Sequence, residues 1–77
     1  MADALSIAFG GRIRARRREI GFSQEKLGEH AGLHRTYIGH VERGEVNPTL
    51  SSIVRLAAAL GANPAELVDS LEPDPAR

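Results

Sequence analysis

Apolar residues recur along this chain at intervals of three and four, the spacing that gathers side chains on one face of an α-helix. Leu5, Phe9, Ile13 and Ile20 form the first such stripe and predict a helix from about Leu5 to Ile20, with Gly21 as its stop. Gly10 and Gly11 interrupt it at about 1 kcal/mol each relative to alanine, so its start is less sharply defined than its end. Ser23 is placed to cap a second helix, and Glu25 in the first turn suits the helix dipole. Leu27 and Ala31 face inward, and Gly32 breaks this helix. Leu33 packs at the hinge, His34 or Arg35 opens a third helix, and Ile38 and Val41 are its buried pair. Gly44 offers the left-handed position that ends it.

After a loop around Asn47-Pro48, Thr49 caps a fourth helix whose apolar face is Leu50, Ile53, Leu56, Ala57 and Leu60. Gly61 closes it. Asn63-Pro64-Ala65-Glu66 then combines an N-cap, a proline at the first helical position and an acid at the third. A short fifth helix follows to about Ser70 or Leu71. With no strand pattern, the chain reads as all-α: five short helices in one domain over residues 1–71, and a frayed, disordered tail over 72–77.

Seventy-seven residues bound the picture further. A chain of this size hides only ~60% of the surface its unfolded form exposes, so its core is thin. Without cysteine it has no disulfide or thiolate zinc site, and stability must come from packed helices or a partner subunit. Formal net charge is zero, yet residues 1–55 carry nine Lys/Arg against six Asp/Glu and residues 56–77 carry one against four. That asymmetry points to a polyanionic partner for the first part or to solvated helix faces. No stretch approaches a membrane span, and the N-terminus shows no signal-peptide pattern, so the expected location is cytoplasmic, with no membrane partner.

Catalytic chemistry finds little support. There is no cysteine nucleophile, no glycine-rich phosphate loop and no convergent carboxylate pair. His30 and His34 are spaced to share a metal on one helix, but Gly32 breaks that helix between them. The expectation is a protein that is not an enzyme and has no metal and no cofactor.

One segment carries the functional reading. The run SQEKLGEHAGLHRTYIGHVERGEVNPTLSSIVRLAAALGANPAEL resembles the Cro/repressor-type, XRE-like helix-turn-helix DNA-binding family. The likeness extends over residues 9 to about 71 and rests on Ser23-Gln24, Leu27, Gly32, Ile38, Glu42-Arg43-Gly44, Pro48 and Ala59-Leu60-Gly61. It implies a lambda-repressor-like domain with the helix-turn-helix at about 23–43 and a partner of double-stranded DNA. The physics agrees. Two helices joined by a tight glycine turn cross steeply, and the second, over 34–43, fits the major groove of B-DNA. With Ile38 and Val41 inward, Arg35, Thr36, Gly39, His40 and Arg43 are left outside.

Chemistry and resemblance together assign roles. Arg35 can grip guanine O6 and N7, Thr36 can meet a thymine methyl or accept a hydrogen bond, and His40 lies one turn further on. These three are the expected base readers, with His34 at the helix start and Gly39 as bare backbone for close approach. Gln24, in the first turn of the second helix, is the implied DNA-backbone clamp; Tyr37, Arg43 and Asn47 are further backbone candidates, and Asn47 serves equally as a turn residue before proline. The resemblance implies a partly buried ion pair between Arg17 and Glu42. Arg12, Arg14, Arg16 and Arg18 spread over several faces, with Arg14 and Arg18 on the Arg17 side.

The sequence also departs from the family pattern. Gly28 stands where relatives pack an alanine, which predicts a looser contact with the recognition helix. Glu45 and Val46 replace residues that are often basic, which predicts weaker loop–phosphate attraction, or a loop that reads shape or a methyl group. The block HRTYIGHVERGE especially resembles restriction–modification controller proteins. Leu67, Val68 and Leu71 offer more apolar surface than so short a helix buries alone, or else all three close the thin core; the family resemblance implies a homodimer through this region, on a near-palindromic operator. With no second domain, no small-molecule ligand is expected. The competing reading is the same fold used as a protein-interaction module or as the antitoxin of a toxin–antitoxin pair.

Overall fold

The computed structural model describes residues 3–73. Over these residues the chain folds into α1 (Ala4–Glu19), α2 (Gln24–Ala31), α3 (Arg35–Glu42), α4 (Leu50–Leu60) and α5 (Pro64–Val68), with no strand among them. Each helix begins on a polar side chain that satisfies one of its orphan N–H groups. Asp3 Oδ1 accepts from Ser6 N–H at 2.7 Å, which starts α1 at Ala4 in spite of its two glycines. Ser23 and Thr49 do the same for α2 and α4. Asn63 and Glu66 close a reciprocal capping box on α5, with Pro64 at its first position. The cap on α3 is an imidazole: Nδ1 of His34 accepts from the N–H of Thr36 at 3.0 Å.

The core is the set the periodicity predicts, with two exceptions. Phe9, Ile13, Leu27, Ala31, Ile38, Val41, Leu56, Ala57 and Leu60 are all buried, and Leu5, Ile20 and Ile53 lie at the margin of that set. Leu50 does not join it. At the first residue of α4 it is 78% exposed, and Val54 one turn on is exposed beside it. Leu67 is the opposite case, buried in the chain's own core with Leu71 packed at its edge. The fifth helix is also shorter than expected. Asp69 turns to extended backbone and Ser70 takes a positive φ of 63°, ending the helix at Val68. Of the expected tail, Glu72 and Pro73 are exposed and residues 74–77 lie outside the described residues.

Two glycines set how closely the helices approach. At Gly10 a β-carbon would overlap the carbonyl oxygen of Val41 and press on the backbone of Glu42, so α1 lies directly against the end of α3. At Gly28 a β-carbon would overlap the carbonyl oxygen of Leu33. The missing methyl therefore tightens the turn between α2 and α3, and the looser contact expected at this position is not found. Gly11, by contrast, faces open space.

The two neighbouring glycines of α1 should respond oppositely to the same change. Gly10→Ala forces backbone apart and is expected to destabilise by about 1–3 kcal/mol. Gly11→Ala gains helix propensity with nothing to displace and is expected to stabilise by about 0.5–1 kcal/mol. Urea unfolding of both variants measures the difference; a matching loss in each would rule out the close α1–α3 approach.

Candidate nucleic-acid interface

The helix-turn-helix is held in place by a buried carboxylate. Glu42, at the end of α3, accepts from Arg17 of α1 through both oxygens, Nε to Oε2 at 2.5 Å and Nη2 to Oε1 at 2.9 Å. The Arg17 Nη1 continues to the carbonyl of Phe22 at 2.8 Å, beyond the end of α1. Gln24 Nε2, in the first turn of α2, reaches the same Oε1 at 3.1 Å. The side chains of Glu42 and Arg17 are only 3% and 11% exposed, and the hydrogen bond to Glu42, outweighing the cost of burial, holds the Arg17 pKa above its ordinary value. Three helices thus meet on one charge. The expected Arg17–Glu42 pair is present, and Gln24 belongs to it. An amide nitrogen carries two hydrogens, so Gln24 keeps one N–H for an outside acceptor while Glu42 fixes the group's direction.

Around this network lies a cavity of about 340 Å³ lined by Arg14, Arg17, Arg18, Gln24, Glu42 and Arg43. Four arginines and one glutamate line it, Arg17 being held by Glu42 and Arg43 paired with Glu45, and the start of α2 adds the partial positive charge of a helix N-terminus. The remaining arginines of α1 point elsewhere. Arg16 donates to the carbonyls of Leu60 and Gly61 at 3.3 and 3.5 Å, satisfying the end of α4, and Arg12 reaches the carbonyl of Glu66 at 3.3 Å. The helix therefore divides its basic residues between an open cavity and the neighbouring helix ends.

Beside the cavity, α3 presents its outer face. Ile38 and Val41 are turned into the core, while Arg35 and Thr36 are exposed and His40 is half-exposed. Arg35 pairs with Glu25 of α2 at 2.9 Å, both side chains being more than 60% exposed. Such a pair is worth at most about 1 kcal/mol, so Arg35 is readily released.

A helix-turn-helix domain family matches this chain over residues 8–71. The chain belongs to that family. It is 40% identical over 70 residues to the control protein C.BamHI of Bacillus amyloliquefaciens, covering 90% of this chain and 86% of that protein. The crystal structure of the restriction–modification controller protein C.AhdI from Aeromonas hydrophila superposes with a TM-score of 0.83 at 46% identity, over 84% of this chain and 98% of that one. The P22 c2 repressor, solved in complex with a synthetic operator, superposes with a TM-score of 0.74 at 34% identity, over 79% of this chain and 92% of that one.

Within this helix-turn-helix, several expected roles need restating. Gly39 is not open backbone. It is buried beneath the Arg43 guanidinium, whose Nη1 would lie 3.1 Å from a β-carbon built there. Tyr37 is half-buried, and its hydroxyl bonds the Ser52 Oγ of α4 at 3.3 Å, so it ties α3 to α4. Asn47 is exposed but lines a different groove, of about 270 Å³, with Leu5, Phe9, Pro48, Ile53, Val68 and Leu71. Leu67, a core residue, offers no free surface for a partner, whereas its neighbour Val68 does. Val46 is partly buried and packs against the core. His30 is exposed with its ring stacked on Phe22, 5.0 Å between centroids. Among the described residues no cluster of His, Cys, Asp or Glu could hold a metal, and no helix is long and apolar enough to cross a membrane.

What sequence reasoning missed is the role of Glu45, read there only as an acidic loop residue. Its Oε1 takes both His40 Nδ1 at 2.8 Å and Arg43 Nε at 3.1 Å, and those two partners, Arg43 foremost, hold its pKa below the ordinary glutamate value. The signal was the spacing: two and five residues after Arg43 and His40, just beyond a helix end.

Glu42→Ala strands the Arg17 charge in a buried site and is expected to cost about 3–5 kcal/mol. Denaturant unfolding gives the value, and a loss under 1 kcal/mol would mean the pair is not holding the three helices.

Proposed function

We propose that the protein is a sequence-specific double-stranded DNA-binding transcription regulator that occupies a near-palindromic operator as a homodimer. The observation that carries this is the outer face of α3, where Arg35, Thr36 and His40 stand beside a cavity with four guanidiniums. A base-reading face needs exactly such flanking phosphate contacts to set its register on the duplex. In this reading α3 enters the major groove, Arg35 takes guanine O6 and N7, and Thr36 and His40 read the bases beside it. Gln24 and Arg43 hold the phosphates on either side of the cavity, with Arg14 and Arg18 widening the contact. Tyr37 and Asn47 are left with supporting roles, the one bracing α3 and the other shaping the loop after it.

The two-fold contact uses apolar surface the subunit leaves open. Val68 and Leu71 line the groove with Leu5 and Phe9, and Ile7, Leu50 and Val54 are further large apolar side chains left exposed. A dimer through α5 would set two copies of α3 about one helical turn of DNA apart, ~34 Å. The likeness to C.BamHI and C.AhdI supports a controller's role, in which the protein governs the genes of a restriction–modification system.

Selection from random duplex DNA at near-physiological salt tests this reading. Recovery of a two-fold symmetric motif is expected, and recovery of nothing above background would favour a protein-binding use of the same face. In the selected site, Arg35→Ala should lose about 1–3 kcal/mol and relax preference at one base position. Arg43→Ala and Arg18→Ala should weaken all sequences alike and each lower the slope of log K against log salt by about 1. An unchanged slope would remove them from the phosphate contacts.

A further inference from the structure

His34 and His40 are the two imidazoles of the reading helix, and the structure gives their Nδ1 atoms opposite partners. The Nδ1 of His34 accepts from a backbone N–H at 3.0 Å, so that nitrogen carries no proton and Nε2 does. The Nδ1 of His40 lies 2.8 Å from the Oε1 of Glu45. An ionised carboxylate only accepts, so here Nδ1 must be the donor. Glu45 is exposed and ionised at neutral pH, and Arg43, whose Nε reaches the same Oε1 at 3.1 Å, holds its pKa lower still. Arg43 Nη2 also lies 3.4 Å from His40 Nδ1, a contact that would want the reverse tautomer. It is much the longer of the two, at 3.4 Å against 2.8 Å, and a hydrogen bond to an ionised carboxylate is the stronger kind, so the carboxylate decides the proton's place.

Both polar contacts of the His40 ring therefore fall on Nδ1, while the ring is 43% exposed on the face it shares with Thr36. The nitrogen left for a ligand is Nε2, and in the neutral ring it is a bare acceptor. In the major groove, adenine N6 and cytosine N4 donate, whereas guanine N7 and O6 and thymine O4 accept. Resting on the reading of α3 as the groove-entering helix, we infer that Glu45 is a specificity-determining positioning residue: by fixing the proton of His40 on Nδ1 it makes this side chain read an exocyclic amino group of adenine or cytosine and disfavour guanine. The acidic residue after α3, which looks adverse to DNA, thereby sets what one base reader accepts.

The test has two parts on the full chain at about pH 8, where an ordinary imidazole is neutral. Long-range proton–nitrogen correlation of the histidine rings in the free protein should show His40 protonated at Nδ1 and bare at Nε2, with His34 the reverse. Glu45→Ala should move the His40 proton to Nε2. Selection from random duplex DNA then compares variants, with His40→Ala marking the base position that His40 reads. The wild type should prefer adenine or cytosine there by roughly 2- to 12-fold, the range of one hydrogen bond. Glu45→Ala should lose that preference. Glu45→Gln should keep it, because Arg43 holds the amide oxygen where the carboxylate oxygen was, although both variants shed the same charge.

Protonation of wild-type His40 at Nε2 would overturn the inference. So would a base preference that is the same in Glu45→Ala as in the wild type, or one lost equally in Glu45→Gln, which would trace it to charge alone. If the wild type selects no motif, the DNA reading fails and this inference with it. The ring spectra would still show separately whether Glu45 fixes the tautomer.

Discussion

A single buried carboxylate sets the relation of three helices. Glu42 ends α3, and its two oxygens are filled by the Arg17 fork from α1 and the Gln24 amide from α2. Apolar packing alone is non-directional, and a core of about ten small and medium side chains could settle in more than one arrangement. Charged hydrogen bonds are directional, and an unpaired partner in this site is costly, so rotation of α3 relative to α1 and α2 is strongly penalised. Which side chains face outward from α3 follows from that restriction. Arg17 also reaches the Phe22 carbonyl, so the exit from α1 and the entry to α2 are governed by the same residue.

The periphery of the site is organised around this fixed centre. The close approach at Gly10 seats α1 against the end of α3, and the close approach at Gly28 folds the turn back on α2. With the backbone so constrained, the surface residues find local partners: Arg35 pairs with Glu25 and Arg43 with Glu45, whose carboxylate also takes the Nδ1 of His40. The surface beside the core thus comprises labile exposed pairs around a tightly held interior one. A ligand rich in negative charge can take Arg35 from Glu25 without disturbing the interior pair.

What could be read in advance divides along the range of the interactions. The helices were legible because stripe and cap are both local: Phe9 and Ile13, Leu27 and Ala31, Ile38 and Val41 each identify a face, and Ser23, Thr49 and Asn63 each announce a start. The outward placement of Arg35 and Thr36 followed from the inward placement of Ile38 and Val41. Contacts set by rotamer or by distant backbone were not legible. Nothing in the spacing of α1 says that Arg16 ends on the carbonyls of α4, or that Arg43 folds back over Gly39. Leu67 and Val68 are adjacent on a five-residue helix, too short for periodicity to tell the core residue from the exposed one.

The division of charge in this fold bears on how the molecule travels. Formal charge sums to zero, so at long range it exerts no net pull on a polyanion. Yet Arg14, Arg17, Arg18 and Arg43 gather at one place, while Glu66 on α5 and Asp69 just past its end lie in a stretch without lysine or arginine. The molecule is therefore a dipole, whose field falls off faster with distance than that of a charged sphere. At physiological salt, with screening over about 8 Å, the field acts mainly in the last moments of an encounter. What it supplies there is torque: a molecule that drifts near a polyanion is turned with its arginine face foremost. Orientation, more than capture, is the electrostatic contribution of such a chain to its own docking.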